Sequence, residues 1–216
     1  MRLARACQVA PIPQERRMEP DDRHEEKIEV RLEPAPASLK PIFRTLLTQY
    51  LAELASIQGQ TPPRDERGQV PYRWFEVYWQ DFEPERIPFG LWLAEDLAGF
   101  CLLRDTGDHW QVAEFFVLPA YRHRGIGARA VALLKEFCRR SRKYNILEAN
   151  TLLANNGALA FWHSQGFVTV SESPERMINV FCLNCGGSQP ASARPSRCGP
   201  RRLSAAALDQ SAEDPA

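Results

Sequence analysis

Residues 112–134 read VAEFFVLPAYRHRGIGARAVALL, and this stretch decides the fold class. The apolar run that ends at Leu118 predicts a buried strand, Pro119 turns the chain, and small and basic residues then begin a helix. The apolar stripe that would pack this helix against a sheet comprises Ile126, Ala130, Leu133, Leu134 and Phe137. The stretch therefore predicts a strand–turn–helix unit.

The turn between this strand and this helix has the features of an anion site. A helix N-terminus presents unpaired N–H groups and a partial positive charge. Gly125 and Gly127 would let a ligand approach the main chain, and Arg122, His123 and Arg124 add donors. Between residues 120 and 143 eight Lys or Arg stand against one acid. The spacing matches neither the Walker-type phosphate loop nor the dinucleotide fingerprint, so we expect another kind of phosphate site.

Two segments resemble motifs of the GNAT superfamily of N-acetyltransferases. Arg122, Gly125 and Gly127 match the family's Gln/Arg-x-x-Gly-x-Gly/Ala motif, which binds the pyrophosphate of acetyl-CoA. Residues 155–167, NNGALAFWHSQGF, are similar to its Asn-x-x-Ala-x-x-x-Tyr-x-x-x-Gly-Phe segment. The resemblance covers residues 27–183. It implies an acyltransferase that uses acetyl-CoA as co-substrate.

The resemblance also implies where the donor binds. The main chain of residues 115–117 would hydrogen-bond the pantetheine arm as an added strand, and the N–H groups of residues 124–128 would hold the pyrophosphate. Asn155 would hold a pantetheine amide or a water, unless it only caps the following helix. The residues expected at the donor site are Phe115, Phe116, Val117, Arg122, His123, Arg124, Gly125, Ile126, Gly127, Ala128 and Asn155.

Amine acetylation also needs a base, and two carboxylates are candidates. Glu114 interrupts an apolar strand, where an unpaired carboxylate is costly, and Glu148 lies near the start of the next strand. Either could instead be a structural carboxylate. The general acid departs from the family pattern because Trp162 occupies the usual Tyr position, and an indole is a donor that does not ionise. His163, Tyr121 or a water would replace it, or the thiolate would leave unassisted.

Periodicity beyond these motifs predicts an alternation of strands and helices. Residues 72–82 are rich in aromatics, which favours an amphipathic core helix over rings that line an acceptor pocket. The remaining predicted elements are helices at 38–57, 126–141 and 157–165 and strands at 27–32, 89–94, 99–104, 109–118, 146–153, 167–170 and 177–183. Taken alone, they predict an α/β fold with a mixed sheet. With the resemblance, we expect the GNAT-like fold, a mixed, mostly antiparallel twisted sheet flanked by helices.

Length and composition set the remaining expectations. The 216 residues suffice for one domain, placed at 27–183, with residues 1–26 and 184–216 expected to be disordered. The formal net charge of zero argues against nucleic acid as a partner, and no apolar run is long enough for a membrane span. Cys182, Cys185 and Cys198 lack a fourth ligand in metal-binding spacing, so no metal is expected. A cytoplasmic protein is the default expectation.

The expected function is direct transfer of an acetyl group from acetyl-CoA to a primary amine. The acceptor would be a small molecule or a peptide, and a homodimer stays open. The alternative is a non-catalytic module with an acyl-CoA-binding or regulatory role. The tryptophan at the family's tyrosine position motivates this alternative.

Overall fold

The computed structural model describes residues 29–80, 85–174 and 176–184. Its strands are β1 (Val30–Pro34), β2 (Arg86–Leu93), β3 (Asp96–Asp105), β4 (Trp110–Val117), β5 (Ile146–Leu152), β6 (Val168–Glu172) and β7 (Arg176–Cys182). Its α-helices are α1 (Lys40–Ile57), α2 (Ile126–Ser141) and α3 (Asn156–Ser164). Short 3₁₀ turns lie at Ala37–Leu39, Glu76–Trp79 and Pro119–Tyr121.

The seven described strands form one sheet in the order β1-β2-β3-β4-β5-β7-β6. All neighbouring pairs are antiparallel except β4 and β5, which are parallel and joined through α2. A parallel pair needs such a crossover because its strands run in the same direction. The prediction of a mixed, mostly antiparallel sheet with flanking helices is confirmed.

Helices cover both faces of the sheet, and each face has its own core. On one face, α1 packs through Phe43 and Leu47 against Phe100 of β3 and Phe116 of β4. On the other face, α2 and α3 cover a larger cluster that includes fully buried Trp110. Side chains alternate between the two clusters along β3 and β4, except where a register shift in each strand interrupts the alternation.

The predicted helix over 126–141 is confirmed to the residue. Ile126, Ala130 and Leu134 of its apolar stripe are buried, whereas Leu133 and Phe137 are partly buried. The helix ends at Arg142, which adopts a left-handed φ of 52°. A residue in that conformation stops helix propagation and satisfies terminal carbonyls.

The aromatic segment at residues 72–82 differs from the predicted helix. Only the short 3₁₀ turn at Glu76–Trp79 forms, and residues 81–84 lie outside the described ranges. Aromatic and β-branched side chains lose rotamer freedom in a helix, which weakens helix propagation where they are dense. Phe75 and Tyr78 are nevertheless buried in the core beneath α1, as expected for the apolar side of the segment.

Several sequence predictions fall outside the described residues. These are the disorder expected for residues 1–26 and for residues 184–216, of which only residue 184 is described, and the roles of Cys185 and Cys198. Within the described part of the chain, Cys182 is disulfide-bonded, whereas Cys101 and Cys138 are buried free thiols. None of the described helices has the length and apolar character that a membrane span requires.

Candidate active site

Strands β4 and β5 separate part-way along their length. They pair only over three positions, from Trp110 opposite Leu147 to Val112 opposite Ala149. Beyond these, β4 continues to Val117 with no partner strand on this side among the described residues, while its other edge stays paired with β3. A register shift between Leu102 and Leu103 leaves Ala113 as an extra residue of β4. Such a bulge bends its strand and increases the local twist, which opens a gap through the sheet.

The main chain of β4 presents hydrogen-bonding groups to this gap. The N–H of Leu118 donates to the carbonyl of Ala98 at 2.9 Å, so this pair is hydrogen-bonded across β3 and β4. Because such pairs alternate along an antiparallel ladder, the polar groups of Phe115 and Val117 face the gap, whereas those of Phe116 face β3. This orientation differs from the sequence prediction for Phe116, whose main chain is engaged in the β3 ladder.

The N-terminus of α2 lies at the same end of β4. Gly125 is the N-cap at a left-handed φ of 74°, provides no side-chain cap, and the first turn contains no acid. An α-helix leaves its first four N–H groups without intrahelical acceptors, and the N-cap residue of α2 supplies no side chain to accept from them. A Cβ on Gly125 would meet no atom within 4 Å, so the space beside it is open. His123 precedes it at a φ of 58°, which shapes the turn.

Gly127 has a different reason to be glycine. A Cβ there would lie 3.3 Å from the Phe161 ring of α3 and 3.6 Å from a methyl group of Val117. Its absence brings α2 close to the end of β4 and to α3. Ile126 is buried, Ala128 is half-buried, and Arg124 is exposed at the mouth of the turn.

The Arg122 side chain bonds to the end of β4 and to α1. Its Nε donates to the Val117 carbonyl at 2.8 Å, and its two terminal nitrogens donate to both oxygens of Glu53 in α1, at 2.8 and 2.7 Å. The guanidinium also lies 5.3 Å from the centre of the Phe116 ring. At least one donor from each of its three nitrogens is thus engaged within the protein.

Glu114 lies on the α1 face of the sheet, directly opposite Leu102. Its carboxylate accepts hydrogen bonds from the hydroxyls of Tyr50, on α1, and Tyr72. Burial raises the pKa of Glu114 above its ordinary value, and these hydrogen bonds oppose the rise only in part, together with the charges of Arg176 and Arg104. A carboxylate with a raised pKa is a stronger base than one in water.

The Glu114 carboxylate in turn affects the pKa of both tyrosines. Burial, and then the charge of Glu114, raise the pKa of Tyr50 and of Tyr72 well above the ordinary value. Both hydroxyls therefore stay protonated and act as donors. Tyr50 and Tyr72 are site residues that our sequence interpretation missed, because Tyr50 belongs to the core-facing stripe of α1 and Tyr72 to the predicted core helix.

Glu148 occupies a different environment below the gap. It lies opposite Gln111, which donates to its Oε1, and its Oε2 is 3.3 Å from Nε2 of His109. Burial would raise the pKa of Glu148, but the His109 and Gln111 contacts outweigh burial and hold it below the ordinary value. Burial lowers the pKa of His109, but the Glu148 carboxylate raises it. The net effect is a pKa above the ordinary value. Glu148 and His109 thus face each other in the core and form an ion pair when His109 is protonated.

The α3 segment lies beside the gap. Asn155 accepts a hydrogen bond from the N–H of Ala158 at 3.0 Å, which makes it the N-cap of α3. Trp162 is 5 % exposed and packs edge-on against Phe115 and Phe167. The family's tyrosine position therefore holds a core side chain in this protein.

A pocket of about 300 Å³ opens beside the end of β5, lined by Gln58, Leu152, Leu153, Ala154 and Pro174. Asn150, the first residue of β5 past the last pair with β4, has a buried Oδ1 without a hydrogen-bond partner among the described residues. It is an acceptor available to a ligand N–H. Within the described ranges, no group of three or more His, Cys, Asp or Glu could hold a metal ion.

Comparisons with solved structures identify the fold. The ribosomal-protein-S18-alanine N-acetyltransferase of Escherichia coli aligns with a TM-score of 0.54 at 15% identity, over 76% of this chain and all of its own. A GNAT-family acetyltransferase of Staphylococcus aureus gives 0.57 at 13%, over 72% and 99%. The spermidine N-acetyltransferase of Vibrio cholerae, solved with CoA and spermine, gives 0.56 at 12%, over 71% and 95%. At these identities the likeness shows the fold alone.

The sequence itself carries the family assignment. No curated protein matches the chain significantly. The model described as the acetyltransferase (GNAT) family matches residues 50–167, from the middle of α1 to the end of the α3 segment. This span is more than half of the 216 residues and includes the β4–β5 gap, the turn before α2 and Glu114. The chain therefore belongs to the acetyltransferase (GNAT) family.

Proposed function

We propose that this protein transfers an acetyl group directly from acetyl-CoA to a primary amine. The observation that carries the proposal is the gap between β4 and β5, which connects the two faces of the sheet. The N-terminus of α2 lies on one face, and Glu114 lies on the other. A long, flexible donor lying in the gap would place its phosphates at the N-terminus of α2 and its thioester beside Glu114, where the amine attacks.

The donor half of the site is built from main chain. The polar groups of Phe115 and Val117 would pair with the pantetheine arm, and the N–H groups from Arg124 to Ala128 would hold the pyrophosphate. Asn150 Oδ1 would accept from a pantetheine amide. Family membership supports acetyl-CoA as the donor, whereas these residue assignments are ours.

The acceptor half would activate the amine. An alkyl ammonium has a pKa of about 10.4, so it must lose a proton before it attacks. Glu114 takes this proton, the neutral amine nitrogen bonds to the thioester carbonyl carbon, and the carbon–sulfur bond breaks. The nitrogen loses a second proton as the amide forms, and the departing thiolate takes up a proton through solvent, which is feasible because thiols have a pKa of about 8.5. Glu148 is the weaker candidate for the base, because its contacts with His109 and Gln111 hold its pKa below the ordinary value, whereas the pKa of Glu114 is raised.

The acceptor would enter beside the pocket at the end of β5. Arg176 begins β7 directly opposite Leu152, and its charge acts on Glu114. Two structural neighbours are named for amine acceptors, spermidine and an alanine of ribosomal protein S18. An amine acceptor suits the base that we assign, whereas the identity of the amine needs experiment.

The first test is thermal unfolding with and without acetyl-CoA, beside plain adenosine nucleotides. We expect stabilisation specific to acetyl-CoA, followed by release of free CoA thiol with members of a panel of primary amines. Glu114→Gln should keep the stabilisation and lower turnover by about 10²-fold or more at neutral pH, with partial recovery at higher pH. A profile identical to that of the wild type would remove Glu114 from the mechanism.

The same experiment tests the alternative of a non-catalytic acyl-CoA-binding module, which the buried Trp162 motivates. Such a module would gain the same stabilisation from acetyl-CoA, because the donor half does not depend on a general acid. It would release no thiol with any amine, and Glu114→Gln would change nothing. Absence of any stabilisation would contradict both functions.

A further inference from the structure

The Arg122 side chain donates hydrogen bonds to two other parts of the protein, although it lies beside the N-terminus of α2. One bond fixes the last carbonyl of β4, that of Val117, whose polar groups face the gap. The other two form a fork with both oxygens of Glu53. A bidentate fork of this kind fixes orientation as well as distance, and a lysine could not reproduce it.

Glu53 transmits this connection to the acceptor face. It lies on α1 three residues after Tyr50, so the two side chains are neighbours on one helix surface. Tyr50 packs against Phe116, with ring centres 5.6 Å apart, and its hydroxyl donates to Glu114. One continuous set of contacts thus joins the turn before α2, the open end of β4 and the proposed base, Glu114.

We infer that Arg122 is a positioning residue that fixes the donor turn to the acceptor helix, and that it is not a phosphate ligand. Its bond to Val117 fixes the position of the open end of β4, and its fork with Glu53 fixes α1 relative to that strand. The inference rests on the proposed function, because it concerns the same acetyl-CoA site.

A double-mutant cycle with Glu53→Gln and Arg122→Gln separates the two roles. Positioning requires both partners, so each single variant should weaken acetyl-CoA binding about tenfold, and the double variant should be no weaker than either. Calorimetric titration well below the unfolding midpoint measures this. Glu136→Gln, which removes the exposed pair with Arg140, is the matched control and should bind as the wild type does.

A phosphate-binding Arg122 gives the opposite pattern. Glu53→Gln would then leave the affinity unchanged or improve it, because the guanidinium gains freedom and a nearby negative charge disappears. Arg122→Gln would still weaken binding. Weaker binding in Arg122→Gln together with unchanged or tighter binding in Glu53→Gln would overturn the inference. Wild-type protein that binds no acetyl-CoA would instead overturn the proposed function.

Steady-state kinetics adds a readout that loss of fold stability would not produce. Since α1 places Tyr50 on Glu114, both single variants should lower kcat as well as donor affinity, and both should move the acid limb of the kcat profile in the same direction. Acetyl-pantetheine, which lacks the pyrophosphate, should lose kcat/KM by a similar factor in both variants. A loss confined to acetyl-CoA would again identify a phosphate ligand.

Discussion

Replacing Gly125 by valine tests the placement of the pyrophosphate. The residue caps α2 at a φ of 74°, and the space where its Cβ would stand is open. A branched side chain would fill the space that we assign to the phosphates. If it displaces about two charge-assisted hydrogen bonds, each contributing about 1.5 kcal/mol, the loss is about 3 kcal/mol, or roughly a hundredfold in affinity.

The assay is thermal unfolding at a fixed acetyl-CoA concentration. At a hundredfold excess over the wild-type dissociation constant the ligand adds about 2.7 kcal/mol, whereas a hundredfold weaker variant retains about 0.4 kcal/mol. The ligand-induced rise of the midpoint should therefore shrink from about 5–10 °C to about 1–2 °C.

Gly68→Val is the matched control for this variant. Gly68 has nearly the same left-handed φ, 73°, and also has no atom within 4 Å of a Cβ position. Both variants should lose similar stability from backbone strain, whereas only Gly125→Val should lose the response to acetyl-CoA. A folded Gly125→Val protein with unchanged affinity would refute our placement of the phosphates.

Two further predictions concern the carboxylates. Tyr72→Phe removes a hydrogen bond that lowers the pKa of Glu114, so that pKa should rise further and the acid limb of kcat/KM should move to higher pH, whereas Tyr121→Phe should leave the limb in place. Glu148→Gln should lower the free energy of unfolding by about 1–3 kcal/mol, measured by urea denaturation, because it removes the charge that faces His109 Nε2 while the contact of His109 Nδ1 with Asp108 remains. The raised pKa of His109 and the lowered pKa of Glu148 place the largest difference between pH 4.5 and 6.5, their ordinary values. The contribution of Glu148 is lost as pH falls through its folded pKa, and that of His109 as pH rises through its own. A difference independent of pH would contradict the ion pair.

The fold could be predicted where short-range patterns decide it. Helix α2 follows from its apolar stripe, and its start follows from the glycines of the preceding turn. The aromatic segment before β2 could not be predicted, because its rings satisfy helical spacing while their tertiary contacts favour a short 3₁₀ turn. Burial is visible in the sequence there, but the backbone conformation that achieves it is not.

The candidate site could likewise be predicted only in part, because some of its contacts depend on tertiary packing. Glu114 could be singled out because a carboxylate in an apolar strand needs a partner. Its partners Tyr50 and Tyr72 come from segments more than forty residues upstream, and only the packing of α1 on the sheet brings them together. Arg122 shows the converse, since its place in a motif indicates a ligand contact while Glu53 engages its side chain.

The extra residue of β4 has a consequence for how this cleft is inherited. Without Ala113 the side chains of β4 would alternate without interruption, and the strand would have no reason to diverge from β5. The opening is therefore encoded by chain length and not by the chemistry of any one side chain. Such a feature survives almost any substitution at position 113 and is erased by the loss of a single codon. Sequences can thus drift far apart in identity and keep the same cleft, provided that the count of residues along this strand is preserved.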